Sequence, residues 1–323
     1  MKRKVFFNGS FIDEDKAKLS IYDSSLMFGD MVFEMTRSFK HEHFLLEEHI
    51  ERLFFGIKIL EIPFKYSKKN VLDFCEETTN VNQKMFSKKD EHRLMIDVTR
   101  GVLDIYKPVI NTHKGSNLII ADFPLRWTVS GMGTLFKTGI NAVITSQRAI
   151  PSRYLDPKIK NRSRLFYLMA NIEASNMKGN NNWALLLDEF GNISEGSGDN
   201  FLIIKNNKII SPLGRDILRG VSRNYVLETL ASELDYGVEE KNIEPYDVYT
   251  ADEAFMTGTP FCMLPVTSLN FKKIGDGKVG KNFKKILQKW SENVDVNIKD
   301  QIINWDKNSK KIKKTSPYYF KKK

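Results

Sequence analysis

The segment from Ile193 to Phe201 constrains this chain most, because it places one carboxylate, that of Glu195, among glycines and serines between apolar stretches. The apolar run 183–187 and the turn-forming residues 188–192 precede it, and a further apolar run follows. This order predicts short antiparallel strands joined by tight turns, with Glu195 on the link between two hairpin strands. A Gly-Ser segment alone is more often a plain surface loop. Other segments of the chain decide whether Glu195 has a chemical role.

Three of these segments combine a reactive or hydroxyl side chain with a glycine or a helix start. Lys160 lies in a stretch that Pro157 makes extended. It precedes apolar residues at helical spacing, namely Leu165, Leu168, Met169 and Ile172. Further along, Gly220-Val221-Ser222 opens a helix, and Thr257-Gly258-Thr259 closes a strand. Backbone donors and the helix dipole suit such a helix start to binding phosphate.

Taken in order, these segments resemble the class IV aminotransferases, which are pyridoxal-phosphate (PLP) enzymes of fold type IV. The family includes branched-chain and D-amino acid aminotransferases, (R)-selective amine transaminases and aminodeoxychorismate lyase. The resemblance covers about residues 3 to 270. Within that range it includes the N-terminal segments Phe28–Arg37 and Glu48–Leu53. It implies an α+β fold with a small α/β N-terminal domain and a larger barrel-like C-terminal domain. It also implies a homodimer that completes the pocket.

The resemblance further implies which residues bind PLP and substrate. Lys160 would hold PLP as a Schiff base and then move protons as general base and acid, while Glu195 would contact the pyridine nitrogen and keep it protonated. Arg164 and Leu165 lie where many members place a tyrosine near the cofactor, and Arg164 is assigned to cofactor binding. The phosphate is assigned to Arg52, to the backbone around Gly220, Val221 and Ser222, and to Thr259. Substrate contacts are assigned to Phe33, Arg37, Arg100 and Thr257.

The charges around Lys160 suit an amine that has to react. A free lysine has a pKa of about 10.4 and is almost wholly protonated at neutral pH, whereas imine formation requires the neutral amine. Burial and neighbouring cations both lower a lysine pKa. Lys158, Arg162 and Arg164 supply such cations. Because Lys158 shares this environment, only the spacing to the family's helix singles out Lys160.

Two arginines are candidates for binding the substrate carboxylate. Arg37 follows a Val-Phe-Glu motif as in branched-chain aminotransferases, whereas Arg100 lies in a segment similar to the D-amino acid and (R)-amine branches. Either can bind a carboxylate through two hydrogen bonds, and we favour Arg100 because Arg37 can pair with Glu34. The sequence thus predicts amino transfer from a branched-chain-like or D-amino acid to a 2-oxo acid. The alternative is 4-amino-4-deoxychorismate lyase, whose members often carry a hydroxyl residue where Glu34 stands.

Length and charge agree with a two-domain enzyme. The 323 residues suffice for two cores, which we assign to residues 1–122 and 134–295, with a linker at 123–133 and a basic tail at 296–323. The net charge of +10 is concentrated in that tail beside Tyr318, Tyr319 and Phe320, which raises nucleic-acid binding as a remote alternative. The abundance of Lys, Asn and Ile throughout the chain favours a solvated or subunit-packing tail instead.

The sequence also predicts a cytoplasmic protein without a membrane partner. No run approaches the roughly 18 apolar residues of a membrane helix, and the N-terminus lacks an apolar signal core. Cys75 and Cys262 are too few and too far apart for a disulfide framework. His41-Glu42-His43 is predicted as a turn rather than as metal ligands, and no metal is expected.

Overall fold

The computed structural model describes residues 2–108, 115–179 and 181–307. The chain divides into two compact units. Unit 1 comprises Met1–Trp127 and Ile159–Arg164, and unit 2 comprises Thr128–Lys158 and Leu165–Lys323. The short segment that carries Lys160 therefore belongs to unit 1, although the sequence assigned it to the larger domain. Residues 308–323, which hold most of the predicted basic tail, lie outside the described part of the chain.

Unit 1 is built on an antiparallel sheet with the strand order β2-β1-β7-β6-β3. Its strands are β1 Lys4–Phe7, β2 Ser10–Asp13, β3 Met31–Met35, β4 Ser38–Phe39, β5 Glu42–His43, β6 His92–Thr99 and β7 Asn117–Pro124. Its helices are α1 Ser24–Phe28, α2 Leu46–Ile59 and α3 Lys68–Asn82, with 3-10 turns at Glu14–Lys16 and Gln83–Met85. A short helix α4, Arg126–Val129, crosses the boundary to unit 2.

Helices α2 and α3 cover the apolar face of this sheet. Ile50, Leu53 and Ile57 recur at helical spacing on α2 and are buried against the sheet. Burial of each such side chain stabilises the fold by about 1.5–3 kcal/mol. Helix α3 begins at Lys68 because Ser67 and Asn70 form a capping box there.

The turn predicted at His41-Glu42-His43 lies at Lys40 and His41 instead, because Glu42 and His43 form strand β5. Strands β4 and β5 form a small hairpin, and both Lys40 and His41 between them have positive φ angles. Tight hairpin turns require such left-handed residues.

Unit 2 contains a closed, barrel-like sheet. Its strands are β8 Ile140–Arg148, β9 Asn182–Leu187, β10 Ile193–Gly196, β11 Asn200–Lys205, β12 Lys208–Ser211, β13 Gly237–Glu240, β14 Glu253–Gly258, β15 Cys262–Leu269 and β16 Lys272–Lys273. Neighbouring strands pair in the order β10-β9-β8-β15-β14-β11, and β11 pairs again with β10 through Glu195 and Asn200. The last pairing closes the sheet. The prediction of an α+β fold with a barrel-like domain is therefore confirmed.

The helices of unit 2 lie around this sheet. They are α5 Leu135–Thr138, α6 Leu165–Asn176, α7 Val221–Asn224, α8 Ala231–Glu233, α9 Pro245–Tyr249, α10 Lys281–Asn293 and α11 Ile298–Lys307. A π-helical turn, Tyr225–Leu230, joins α7 to α8, and the helical stretch that Gly220 opens ends at Glu233. Helix α11 corrects the predicted tail, because residues 298–307 fold into unit 2. Asp306 anchors this helix by accepting hydrogen bonds from the backbone of Gly131 and Gly133, at 2.6 and 2.7 Å.

Helix α6 forms where the apolar spacing predicts it, but its apolar stripe faces outward. Leu165, Leu168, Met169 and Ile172 are between 37% and 68% exposed. Small residues such as Ala170 and Ala174 form the buried face instead, packed on β8 and β9. None of the helices in the described ranges combines the length and apolarity that membrane crossing requires.

Candidate active site

In unit 1, Lys160 is held at the edge of the sheet. The backbone N–H of Phe33 on β3 donates to the Lys160 carbonyl at 2.9 Å, and Val32 pairs with Asn161. The Lys160 Nζ atom lies 5.0 Å from the centre of the Phe33 ring. By contrast, the Lys158 ammonium is paired with Asp156 at 2.8 Å and with a backbone carbonyl at 3.1 Å. The structure thus gives the two lysines different surroundings.

Two further cations surround the same aromatic ring. The Arg162 guanidinium carbon lies 3.7 Å from the Phe33 ring centre, and that of Arg164 lies 5.9 Å from it. Arg162 also donates to the Asp97 carboxylate at 3.1 Å. Burial raises the pKa of Asp97, against the opposing effect of Arg162. The predicted site residues Phe33, Lys160 and Arg164 are therefore neighbours in unit 1.

A buried carboxylate fixes Arg52, the predicted phosphate ligand. Glu34 is fully buried and accepts two hydrogen bonds from Arg52, at 2.6 and 2.8 Å, and one from His49 Nδ1 at 2.7 Å. Burial alone would raise the pKa of Glu34, but the charge of Arg52 and the His49 contact outweigh it and hold that pKa well below its usual range. Burial lowers the pKa of His49, and the nearby positive charges of Arg52 and Lys160 also lower it. Glu34 is therefore an ionised anchor that fixes the plane of the Arg52 guanidinium.

The two arginines predicted to bind the substrate carboxylate are both engaged within unit 1. Arg37 is buried, with its guanidinium over the Phe39 ring at 3.8 Å. Arg100 donates through Nε and Nη2 to the Asp30 carboxylate, and through Nη1 and Nη2 to the backbone carbonyls of Glu61 and Leu60. These contacts tie β6 to the C-terminal end of α2 and favour a structural role for Arg100. Its assignment as a carboxylate anchor stays a prediction.

In unit 2, Glu195 lies within strand β10 rather than on the link after it, which corrects its predicted position. Its carboxylate is buried and accepts hydrogen bonds from side chains and from the backbone. The Tyr167 hydroxyl donates to Oε1 at 2.5 Å. The Asn200 side chain and the Leu218 backbone N–H donate to Oε2 at 3.1 and 3.0 Å. These donors orient the carboxylate and stabilise its charged form.

The barrel places three polar side chains in one row across adjacent strands. Glu195 pairs with Asn200, and Asn200 pairs with Thr257 on β14. Directly paired residues on antiparallel strands project to the same face of a sheet. The buried Thr257 hydroxyl has no hydrogen-bond partner among the residues that the structure describes. A buried orphan hydroxyl of this kind is suited to meet a bound ligand.

The predicted phosphate segment begins the helical stretch of α7. Gly220 precedes the helix, and within the described chain no side chain caps its first amides, those of Val221 and Ser222. A Cβ at Gly220 would lie 2.1 Å from the Asn200 amide oxygen, so only glycine fits beside the residue that also holds Glu195. Thr259 follows β14 and is half-buried. Helix starts with uncapped N–H groups favour anions.

Comparison with known proteins identifies the class. The family profile described as amino-transferase class IV matches residues 31–269. A Methanocaldococcus jannaschii protein provisionally named a branched-chain-amino-acid aminotransferase is 35% identical over 290 residues, which cover 90% of this chain and 96% of that protein. D-alanine aminotransferase of Bacillus licheniformis is 28% identical, over 88% of this chain and 96% of its own. The solved Escherichia coli branched-chain amino acid aminotransferase superposes with a TM-score of 0.79 at 26% identity, over 90% and 94% of the two chains.

The chain belongs to the class IV aminotransferases. It is therefore a PLP-dependent enzyme that transfers amino groups between amino acids and 2-oxo acids, and the lyase alternative is not favoured. The described residues fit this cofactor. The carboxylate of Glu195 is buried and oriented, the helix start at Val221 has uncapped amides, and Thr257 carries an orphan hydroxyl.

The sequence did not reveal which residues hydrogen-bond to the carboxylates of Glu195 and Glu34. Asn200 lies in the same motif as Glu195, yet its position five residues away does not reveal that it bonds the carboxylate. Tyr167 and Leu218 are 28 and 23 residues from Glu195. His49, within the Glu48–Leu53 match, was the available signal for the residues that support Glu34, since it lies one helical turn from Arg52.

Proposed function

We propose that this enzyme transfers the amino group of a branched-chain amino acid to a 2-oxo acid, and that Lys160 is the residue to which PLP is covalently attached. Support for the substrate comes from the Methanocaldococcus relative, which matches nine-tenths of the chain. Support for Lys160 comes from its surroundings. Its ammonium lies over the Phe33 ring among guanidinium groups, whereas Lys158 is held by Asp156.

In this proposal the candidate site residues have defined roles in the reaction. When bound, PLP supplies a conjugated ring that withdraws electron density from the substrate Cα–H bond. The Lys160 amine removes the Cα proton and returns a proton during transfer. The Glu195 carboxylate accepts a hydrogen bond from the pyridine N–H. The phosphate is bound by Arg52, by the backbone amides of Val221 and Ser222, and by the Thr259 hydroxyl. Thr257 and Phe33 contact the substrate, and Arg37 and Arg100 remain the candidates for its carboxylate.

The proposed substrate predicts a specific pattern of amino transfer. The holoenzyme mixed with L-leucine, L-isoleucine or L-valine and 2-oxoglutarate should form glutamate in equal amount to the branched-chain 2-oxo acid. D-alanine should react more slowly under the same conditions. Both products are measured by chromatography, with reactions lacking 2-oxoglutarate as the control. Faster turnover of D-alanine than of the L-amino acids would instead indicate a D-amino acid aminotransferase. Pyruvate formed from aminodeoxychorismate without an acceptor would contradict transamination.

We also propose that the enzyme is a homodimer, with the exposed stripe of α6 in its interface. The stripe of Leu165, Leu168, Met169 and Ile172 forms one continuous apolar face on one helix. Adjacent exposed apolar side chains mark interaction surfaces, whereas scattered ones are ordinary. A second copy of the chain is the partner that the resemblance implies.

The dimer proposal predicts a change of mass when this stripe becomes charged. Light scattering after size-exclusion chromatography should give twice the mass of one chain. The double variant Leu168→Glu, Ile172→Glu should elute as a folded monomer, because two buried charges would remain unpaired in the interface. The matched control is Phe190→Glu, at an isolated exposed aromatic residue that is not on α6. A monomeric wild-type protein, or a dimeric double variant, would show that the stripe is not the interface.

A cytoplasmic location is part of the same proposal. It rests on Cys75 and Cys262, which are both buried and form no disulfide in the described part of the chain, as expected in a reducing compartment. Cell fractionation, followed by detection of the protein with an antibody, measures its location. Recovery of the protein from an oxidising compartment would contradict the proposal.

A further inference from the structure

Tyr167, on helix α6, contacts the buried carboxylate of Glu195. Its hydroxyl donates to Oε1 at 2.5 Å. The ring is half-buried and packs with Phe166, whose centre is 4.0 Å away, against the cluster formed by α6, β8 and β9. The phenol is therefore held in place by packing as well as by its hydrogen bond.

The other carboxylate oxygen is held from two different elements. Asn200 on β11 and the Leu218 backbone N–H, in the segment before α7, both donate to Oε2. Asn200 also donates to the Leu218 carbonyl at 2.8 Å, so these two donors support each other. Tyr167 thus donates to the oxygen opposite these two donors, and its hydrogen bond restrains the rotation of the carboxylate about its last bond.

From this geometry we propose that Tyr167 is a positioning residue, which acts on the reaction through Glu195 by fixing and stabilising its negative charge. The inference rests on the proposed contact between Glu195 and the pyridine nitrogen. A hydrogen bond to a carboxylate stabilises its ionised form. A carboxylate that stays ionised leaves the shared proton on the nitrogen, where it strengthens electron withdrawal by the ring. Tyr167 contributes to the rate without touching the reacting atoms.

A double-mutant cycle with Glu195 tests this inference. Tyr167→Phe removes only the hydroxyl, and Glu195→Gln removes the charge. Two quantities are measured in the wild type, both single variants and the double variant. These are the rate of amino transfer from L-leucine to the bound cofactor in a single turnover, and the dissociation constant of PLP from the apo-protein by fluorescence titration. Tyr246→Phe, at an exposed tyrosine of α9, is the matched control.

We expect Tyr167→Phe to slow the single turnover by about tenfold to a hundredfold, the effect of losing a hydrogen bond to a charged group. The KM for L-leucine should not change, because Tyr167 has no contact with substrate in this proposal. In the Glu195→Gln background the same substitution should have little further effect on the rate or on PLP affinity, because its target charge is gone.

Two results would overturn the inference. One is an equal loss from Tyr167→Phe in both backgrounds, which would show that the tyrosine acts independently of Glu195. The other is a Tyr167→Phe variant that behaves like Tyr246→Phe. A wild-type protein that neither binds PLP nor transfers amino groups would contradict the proposed function itself, which this cycle separates from the role of Tyr167.

Discussion

Replacing Lys160 by alanine is expected to abolish measurable amino transfer while leaving the fold intact. Proton transfer by a positioned side chain contributes about 10²- to 10⁴-fold by itself, and the variant also loses the amine that binds the cofactor. Single-turnover absorbance measurements with L-leucine check the rate, and circular dichroism checks the fold. Borohydride reduction of the wild-type holoenzyme should attach the cofactor to Lys160, as located by peptide mapping.

Lys158→Ala is the matched control for this experiment. Lys158 lies two residues away, but its ammonium is occupied by Asp156 and by the Arg215 carbonyl. Its variant should keep wild-type transfer and the borohydride adduct. An adduct on Lys158, or normal turnover by Lys160→Ala, would reverse the assignment of the two lysines.

Replacing Glu34 by glutamine is expected to lower the free energy of unfolding by about 3–5 kcal/mol, as found when one partner of a buried ion pair is removed. Glu34 is fully buried, and the variant leaves the Arg52 guanidinium without its counter-charge. Urea denaturation of both proteins at neutral pH measures the difference. Glu48→Gln, at an exposed carboxylate on α2, the helix that carries Arg52, should change the unfolding free energy little. Equal stability of Glu34→Gln and wild type would falsify the role of Glu34 as a charged anchor.

The pH dependence of this difference has a defined sign. The pKa of Glu34 is lower in the folded protein than in the unfolded chain, where it is about 4.3. The unfolded chain therefore binds the proton more readily, and stability rises with pH through this range. The contribution of Glu34 is fully present above the unfolded pKa and is lost as the pH falls towards the lower folded value. The stability gap between wild type and Glu34→Gln should accordingly narrow below about pH 4.

Several features of the fold followed from local sequence patterns. Turn residues at 188–192 predicted the hairpin that precedes Glu195, and β9 and β10 form it. The apolar residues of α2 recur at helical spacing and mark its buried face, because that face packs within the same unit. The ordered set of motifs identified the family and its cofactor, which the comparisons then showed independently.

Tertiary structure decided which polar groups meet. Arg100 was the favoured substrate anchor from its motif, but Asp30 and the end of α2 occupy its guanidinium, and neither contact is readable from spacing. Lys158 and Lys160 are equivalent in sequence and differ only because the chain passes from unit 2 to the edge of β3 between them.

The sequence by itself determined the family, the fold class and the cofactor, and it predicted which residues react, because these inferences depend on backbone preferences and on motifs of a few neighbouring positions. The tertiary structure alone decided how the charge of Glu195 is held, since its donors come from α6, from β11 and from the segment before α7. It also decided that the apolar stripe of α6 faces outward. Periodicity defines a helix face, but what covers that face depends on the elements that the whole fold brings beside it.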